Sequence, residues 1–309
     1  MSTIIVLQQM GVITILVSIG IYLYKKGVID DPSSQKVSTI VMDICNPALI
    51  LASILSGNIT ATHSDLITGM ILGTIFYAGL VILGFVFPII VKAPKEEKRF
   101  FNLMTVYTNV GFIGIPVARA ILPENAILYV IICNVMYSLL FYTHGIIILS
   151  NGKEKLNLKK VFSPGTIMAL LSLVVFWFDY KPPLIISNSI SFIGNATVFL
   201  SMTMLGVGIA RSDITAGLKN IRIWIYIVIR MLLVPTILFI VLKAMSFSSE
   251  TILGLCLMAA MPIGNLPLIQ SQKMGEDTEL LANAIAISTI TSIATITILM
   301  SIFTTLSPV

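Results

Sequence analysis

The sequence predicts an all-α, polytopic membrane protein of ten transmembrane helices, arranged as two inverted five-helix repeats. Three observations lead there. Of 309 residues, 57% are hydrophobic and 11% charged, with a mean hydropathy of +1.00; soluble domains carry about 25% charged residues. Ten apolar stretches approach the roughly 20 residues needed to cross about 30 Å of hydrocarbon. The basic residues also fall almost entirely in alternate connections. This composition excludes an ordinary soluble enzyme, a nucleic-acid-binding protein and a disordered regulator. The net charge of +5 belongs to loops that flank a lipid bilayer.

Taken in order, the first stretch (3–24) has no basic segment before it, and Lys25 and Lys26 follow it. It reads as a retained span, not a signal peptide. The second (37–56) carries Asp43, Asn46 and Pro47, and the third (66–91) is apolar throughout. The fourth (101–122) contains Asn109-Val-Gly-Phe-Ile-Gly-Ile-Pro116. The fifth (125–150) holds Asn134 and, near its end, His144; the sixth (161–178) is the shortest and opens on Ser163-Pro164-Gly165. The seventh (184–210) holds Asn195 and the eighth (222–243) holds Arg230. The ninth (250–272) contains Met261-Pro-Ile-Gly-Asn-Leu-Pro267, and the tenth (278–304) carries Ser288, Ser292 and Thr295 on one stripe. Cys45, Cys133 and Cys256 lie inside apolar stretches without metal-ligand spacing, so neither a metal nor a cofactor is expected.

The odd-numbered loops hold 15 of the 19 Lys and Arg residues, the even-numbered loops two. The positive-inside rule puts the odd loops in the cytoplasm and both termini outside the plasma membrane. The basic fifth loop lies near the midpoint, which divides the chain into residues 1–150, a linker of 151–164, and residues 165–309. Five spans per half require the second half to sit upside down relative to the first, as in inverted-repeat transporters.

Glycine and proline mark an internal correspondence. Setting Pro116 on Pro267 gives an offset of 151, and Asn46 falls on Asn195 at 149. Gly111, Gly114 and Pro116 are expected to break the fourth span, and Pro262, Gly264 and Pro267 the ninth, because glycine is flexible and proline lacks an N–H. Non-helical backbone at membrane depth survives only inside protein or beside a wet cavity. Two such breaks would aim partly positive half-helix N-termini at a shared site, which suits an anion. The alternative for each is an ordinary kink.

Individual polar residues carry two readings each. Asp43 is a coupling or gating carboxylate, or it faces an aqueous vestibule. Asn46, Asn109, Asn134 and Asn265 are amides that bind a carboxylate or cap freed peptide groups. Arg230 lies about 12 Å into the membrane, where it meets substrate or a gate, or anchors structure. Arg119 steers ligand from the outer surface or simply reaches it. His144 carries a proton or is an interfacial histidine. The Ser288, Ser292 and Thr295 stripe reads as interhelical packing.

At these residues the chain resembles the auxin efflux carrier family, which includes plant auxin exporters and bacterial malate and malonate permeases. The matches are Asn109-x-Gly-x-x-Gly-x-Pro116, Ala260-Met261-Pro262, Gly275-Glu-Asp277, Ser288-Thr289, Arg230-x-x-x-x-Pro235 and Pro47. The resemblance implies a crossover of the broken fourth and ninth helices at the substrate site, one bundle moving against a scaffold, and a homodimer. The short central loop resembles the bacterial organic-acid permeases. The seventh span, Asn195-Ala-Thr-Val-Phe, departs from the proline of many bacterial members. The expected function is secondary transport, in the export direction, of small organic anions or weak acids such as malate, malonate or auxin-like carboxylates. Substrate would meet Asn46, Asn109, Gly111, Gly114, Pro116, Asn134, Arg230, Pro262, Gly264, Asn265 and Pro267, with Asp43 coupling or gating and H+ or Na+ as coupling ion. The alternatives are a membrane sensor on the same fold and a membrane-embedded enzyme, the latter disfavoured because HExxH is absent from the sequence.

Overall fold

A computed structural model describes residues 3–55, 60–152, 162–274 and 276–307. Much of the expected linker (153–161) and Gly275 lie outside the described residues. The described residues are helical, without a strand. In chain order the helices are α1 (Thr3–Lys25), α2 (Asp31–Leu55), α3 (His63–Ile90), α4 (Lys98–Val106), α5 (Val110–Ile121), α6 (Ala126–Leu149), α7 (Pro164–Trp177), α8 (Leu184–Arg211), α9 (Ile214–Lys219), α10 (Ile221–Ala244), α11 (Ser249–Ala260), α12 (Asn265–Lys273) and α13 (Glu279–Leu306).

Seven of these helices are long and apolar enough to cross a bilayer, and α5, α7 and α11 are shorter apolar helices. The protein is therefore polytopic. The expected sixth span is α7, whose 14 residues extend only about 21 Å. The expected fourth and ninth spans are the broken pairs α4–α5 and α11–α12.

Local chemistry explains the starts. Asp30 and Ser33 each accept the other's backbone N–H at 2.9 Å, a capping box that opens α2. Thr62 and Asp65 do the same for α3. Ser163 and Ser248 cap α7 and α11 through the N–H groups of Thr166 and Thr251.

Packing divides the helices into two groups. In the first, α8 packs against α1 and α2, and α7 against α2; in the second, α3 packs on α4 and α6, and α11 on α6, α10 and α13. The groups meet where α1 lies on α13 and α7 on α6. Small residues set the closest approach: a Cβ on Gly20 would sit 2.0 Å from the Thr203 carbonyl oxygen, and one on Gly206 2.0 Å from that of Val17. Bare backbone on both sides holds α1 against α8.

Contacts between connections sort by the parity of the loop. Arg211 pairs with Asp31, Arg222 with Glu97, and Arg99 with Glu276, all in odd loops or beside them. Asn125 accepts the Thr60 N–H, the His63 ring stacks on Trp177, and Lys243 donates to the Leu306 carbonyl, all on even loops or at the C-terminal end of α13. Odd connections thus gather at one end of the bundle and even ones at the other.

A Gly206→Ala substitution is expected to lower stability by about 1–3 kcal/mol, since the methyl must displace backbone. Gly208→Ala, with nothing within 4 Å of the added carbon, should leave the melting temperature in detergent unchanged or slightly raised.

Candidate functional site

The two breaks lie against each other. Asn109 N–H donates to the Pro262 carbonyl at 2.7 Å, and Gly264 N–H to the Tyr107 carbonyl at 2.9 Å. These bonds form an antiparallel bridge between Thr108 and Ile263. Each break thereby satisfies backbone groups freed by the other. Gly264 is required here, because a Cβ would stand 2.8 Å from the Thr108 carbonyl oxygen. Ser288 adds a third tie by accepting the Ile263 N–H at 3.3 Å.

The position of the first break differs from expectation. Extended or irregular backbone falls at Tyr107 and Asn109, whereas Gly111 and Gly114 belong to a π-helical turn, Val110–Gly114, that leads into the rest of α5. Asn109 starts that turn by accepting the Phe112 N–H at 3.1 Å. Pro116 and Pro267 both sit inside the opening turns of restarting helices; at Pro267 the missing N–H would be an orphan in any case. The bridge from Thr108 to Ile263 corresponds to an offset of 155, about one helical turn from the 151 obtained by superimposing prolines.

Beside the bridge is a cavity of about 110 Å³, enough for several waters or a small ligand. Asp43 and Asn46 of α2, Asn109 and Gly111 at the start of α5, Asn134 of α6, and Gly264 and Asn265 at the start of α12 line it. The two helix groups thus both contribute. The Asn46 Oδ1 and Asn109 Nδ2 atoms are buried without a partner, and Asn109 is only 3% exposed. Such atoms cost about 1–3 kcal/mol each unless a ligand or water meets them. Gly111 makes room for this arrangement, since a Cβ there would come 3.1 Å from Asn46 Nδ2. Asn195, the expected counterpart of Asn46, is exposed.

The other expected residues frame the site. Pro262 supplies the bridge carbonyl, and Gly114 packs on Met258, whose Cε would lie 3.1 Å from a Cβ there. Arg230 is 0% exposed and does not line the cavity. Its Nε donates to the Thr105 carbonyl at 2.7 Å and its Nη1 to the Ala259 carbonyl at 2.5 Å. Those are the final-turn carbonyls of α4 and α11, so one guanidinium ties together the two half-helices that arrive at the crossover. One turn earlier, Tyr226 donates to the Met104 carbonyl at 2.9 Å. Arg119 is exposed near the end of α5.

Several lining residues carry no obvious sequence signal: Tyr137, Ser138 and Tyr142 of α6, and Ser163 to Gly165. Behind them Tyr107 donates to the Leu140 carbonyl, and its Oη lies 2.9 Å from His144 Nδ1. Among the described residues the helices also contain four π-helical turns, around Asp43, Gly111, His144 and Arg230. Such turns are rare and often accompany functional positions.

A family profile described as membrane transport protein matches residues 5–300. A protein of Methanocaldococcus jannaschii described as an uncharacterized transporter is 24% identical over 298 residues, covering 92% of this chain and 94% of that one.

Gly264→Ala should force the bridge apart and lower stability by about 1–3 kcal/mol. Gly165→Ala, whose added carbon would have its nearest neighbour at 4.0 Å, should not change the melting temperature.

Proposed function

The chain belongs to the membrane transport protein family, that of the auxin efflux carriers, a family of transporters and not of enzymes; from this premise we propose that it exports small organic anions by alternating access at the crossover cavity. The observation that carries the proposal is the buried, unpartnered Nδ2 donor of Asn109, on a residue that lines the cavity together with Asn46 of the opposite helix group. Amide donors and the N-termini of α5 and α12 would hold a carboxylate. Tyr137, Tyr142 and Phe112 would take its carbon body, which suits malate, malonate or an auxin-like acid.

In this reading the chain crosses the plasma membrane ten times, with α4–α5 and α11–α12 as broken spans and both termini outside. Residues 1–150 and 165–309 are the inverted repeats. The sorting of loop contacts by parity supports this, as does the positive-inside distribution. Ser163, which caps α7 at the fifth connection, also lines the cavity, so the cavity would face the cytoplasm. The group containing α3–α6 and α10–α13 would then slide against α1, α2, α7 and α8 to expose the anion outside. An inside-negative potential favours export by about 2.3 kcal/mol per charge per 100 mV, near fiftyfold. Asp43 would bind a coupling H+ or Na+, and the working unit would be a homodimer.

Purified protein in liposomes, challenged with malate, malonate, succinate, acetate and indole acetate, should show saturable uptake of at least one acid. Asn109→Ala and Asn265→Ala should reduce it tenfold or more. Asp43→Asn should keep anion binding and lose dependence on a pH or sodium gradient. Binding without flux would move the chain to the sensor class. Separately, Lys95→Cys and Lys181→Cys should react with an impermeant thiol reagent from opposite sides of the membrane; labelling from one side would reject the proposed topology.

A further inference from the structure

Four half-helix ends meet at the crossover. α4 and α11 arrive with their C-termini, and α5 and α12 leave with their N-termini. A C-terminal end carries about half a negative charge and an N-terminal end about half a positive one. With nothing else present, the four would cancel and the cavity beside them would have no preference for an anion.

Arg230 breaks that balance. It is fully buried, and its hydrogen bonds run to the Thr105 and Ala259 carbonyls, one at each arriving C-terminus. Among the described residues it has no ion pair with a carboxylate. Two C-terminal ends of about half a charge each offset one guanidinium, which is how a lone arginine can be accommodated at this depth. The N-terminal ends of α5 and α12 are then left uncompensated on the cavity side. There the buried Nδ2 donor of Asn109 also lacks a partner, an independent sign that the same end awaits an acceptor.

We propose that Arg230 sets the charge selectivity of the cavity from behind, without touching the ligand, by neutralising the arriving C-termini of α4 and α11 so that the departing N-termini dominate. Asp43, exposed on the cavity lining, acts with the opposite sign. The substrate class is accordingly an anion of low charge, held by peptide and amide donors instead of a direct salt bridge. The inference rests on the cavity being the transported anion's site, but its test uses neither substrate nor flux.

The probe is a cysteine at Leu266, a half-buried lining position in the first turn of α12. In detergent, Leu266→Cys protein is treated with an anionic sulfonatoethyl and a cationic trimethylammonioethyl methanethiosulfonate. Each rate is divided by that for a free thiol, and protein retaining only the buried Cys45, Cys133 and Cys256 gives the blank. The anionic-to-cationic ratio should exceed one in the Asp43→Asn background. Arg230→Met should lower it about tenfold, as expected for one unit charge acting on reagents that differ by two. Arg230→Lys should preserve it. A ratio of one or less in the Asp43→Asn protein, or a ratio unmoved by Arg230→Met in protein that elutes as a single folded species, overturns the proposal. If Arg230→Met does not fold, the Asp43→Asn measurement decides alone. Flux with an unmoved ratio would reject this inference and keep the transport reading; a charge-selective ratio without flux would do the reverse.

Discussion

The arrangement of this protein depends on two peptide hydrogen bonds, Asn109 to Pro262 and Gly264 to Tyr107. A helix interrupted at membrane depth exposes N–H and C=O groups that lipid cannot satisfy. Here each interruption is the other's partner, so neither could persist alone. The bonds also oblige α4, α5, α11 and α12 to meet at one point. Gly264 has no side chain because backbone occupies that space, and Arg230 sits where the last carbonyls of two helices converge. The cavity follows from the same constraint, since four helix ends cannot fill space as continuous helices do.

Around that point, polar and apolar residues divide the labour. Much of α4, α6 and α11 is buried and apolar, with Leu103, Met104, Leu128, Leu253 and Leu257 completely so. Unpartnered polar atoms such as Asn46 Oδ1 and Asn109 Nδ2 lie beside the bridge, at the seam between the helix groups. A tightly packed group carrying half the site, facing a second group that carries the other half, can change the access of a ligand without unfolding either. Asn46 and Asp43 stand on one side of this seam, and Asn109, Asn134 and Asn265 on the other.

The features legible in the sequence were those that hydropathy and residue type encode. Apolar length located the long helices, loop charge sorted the two ends of the bundle, and glycine with proline identified the two segments whose helices are interrupted. Amide residues next to those interruptions do line the cavity. Exact backbone geometry was not legible. The first break falls at Tyr107 to Asn109, before the glycines, because a π-helical turn absorbs Gly111 and Gly114 and leaves Pro116 within the restarted helix. The residues paired in the bridge, Thr108 and Ile263, lie about a turn away from the pairing of the prolines. For Arg230 the sequence allows a substrate or gating contact or a structural anchor; its partners are backbone carbonyls on two other helices, which no spacing rule reveals.

The four π-helical turns, at Asp43, Gly111, His144 and Arg230, have a consequence for ancestry. Each is equivalent to one extra residue within a helix, and its wide turn takes up the roughly 100° that one residue adds. Losing that residue would close the turn and leave the side chains beyond it on nearly the same faces. The wide turn acts locally, by offsetting peptide groups from the helical ladder. A relative that gained or lost one residue at such a turn would keep its packing and its span count and would differ in backbone at that point alone.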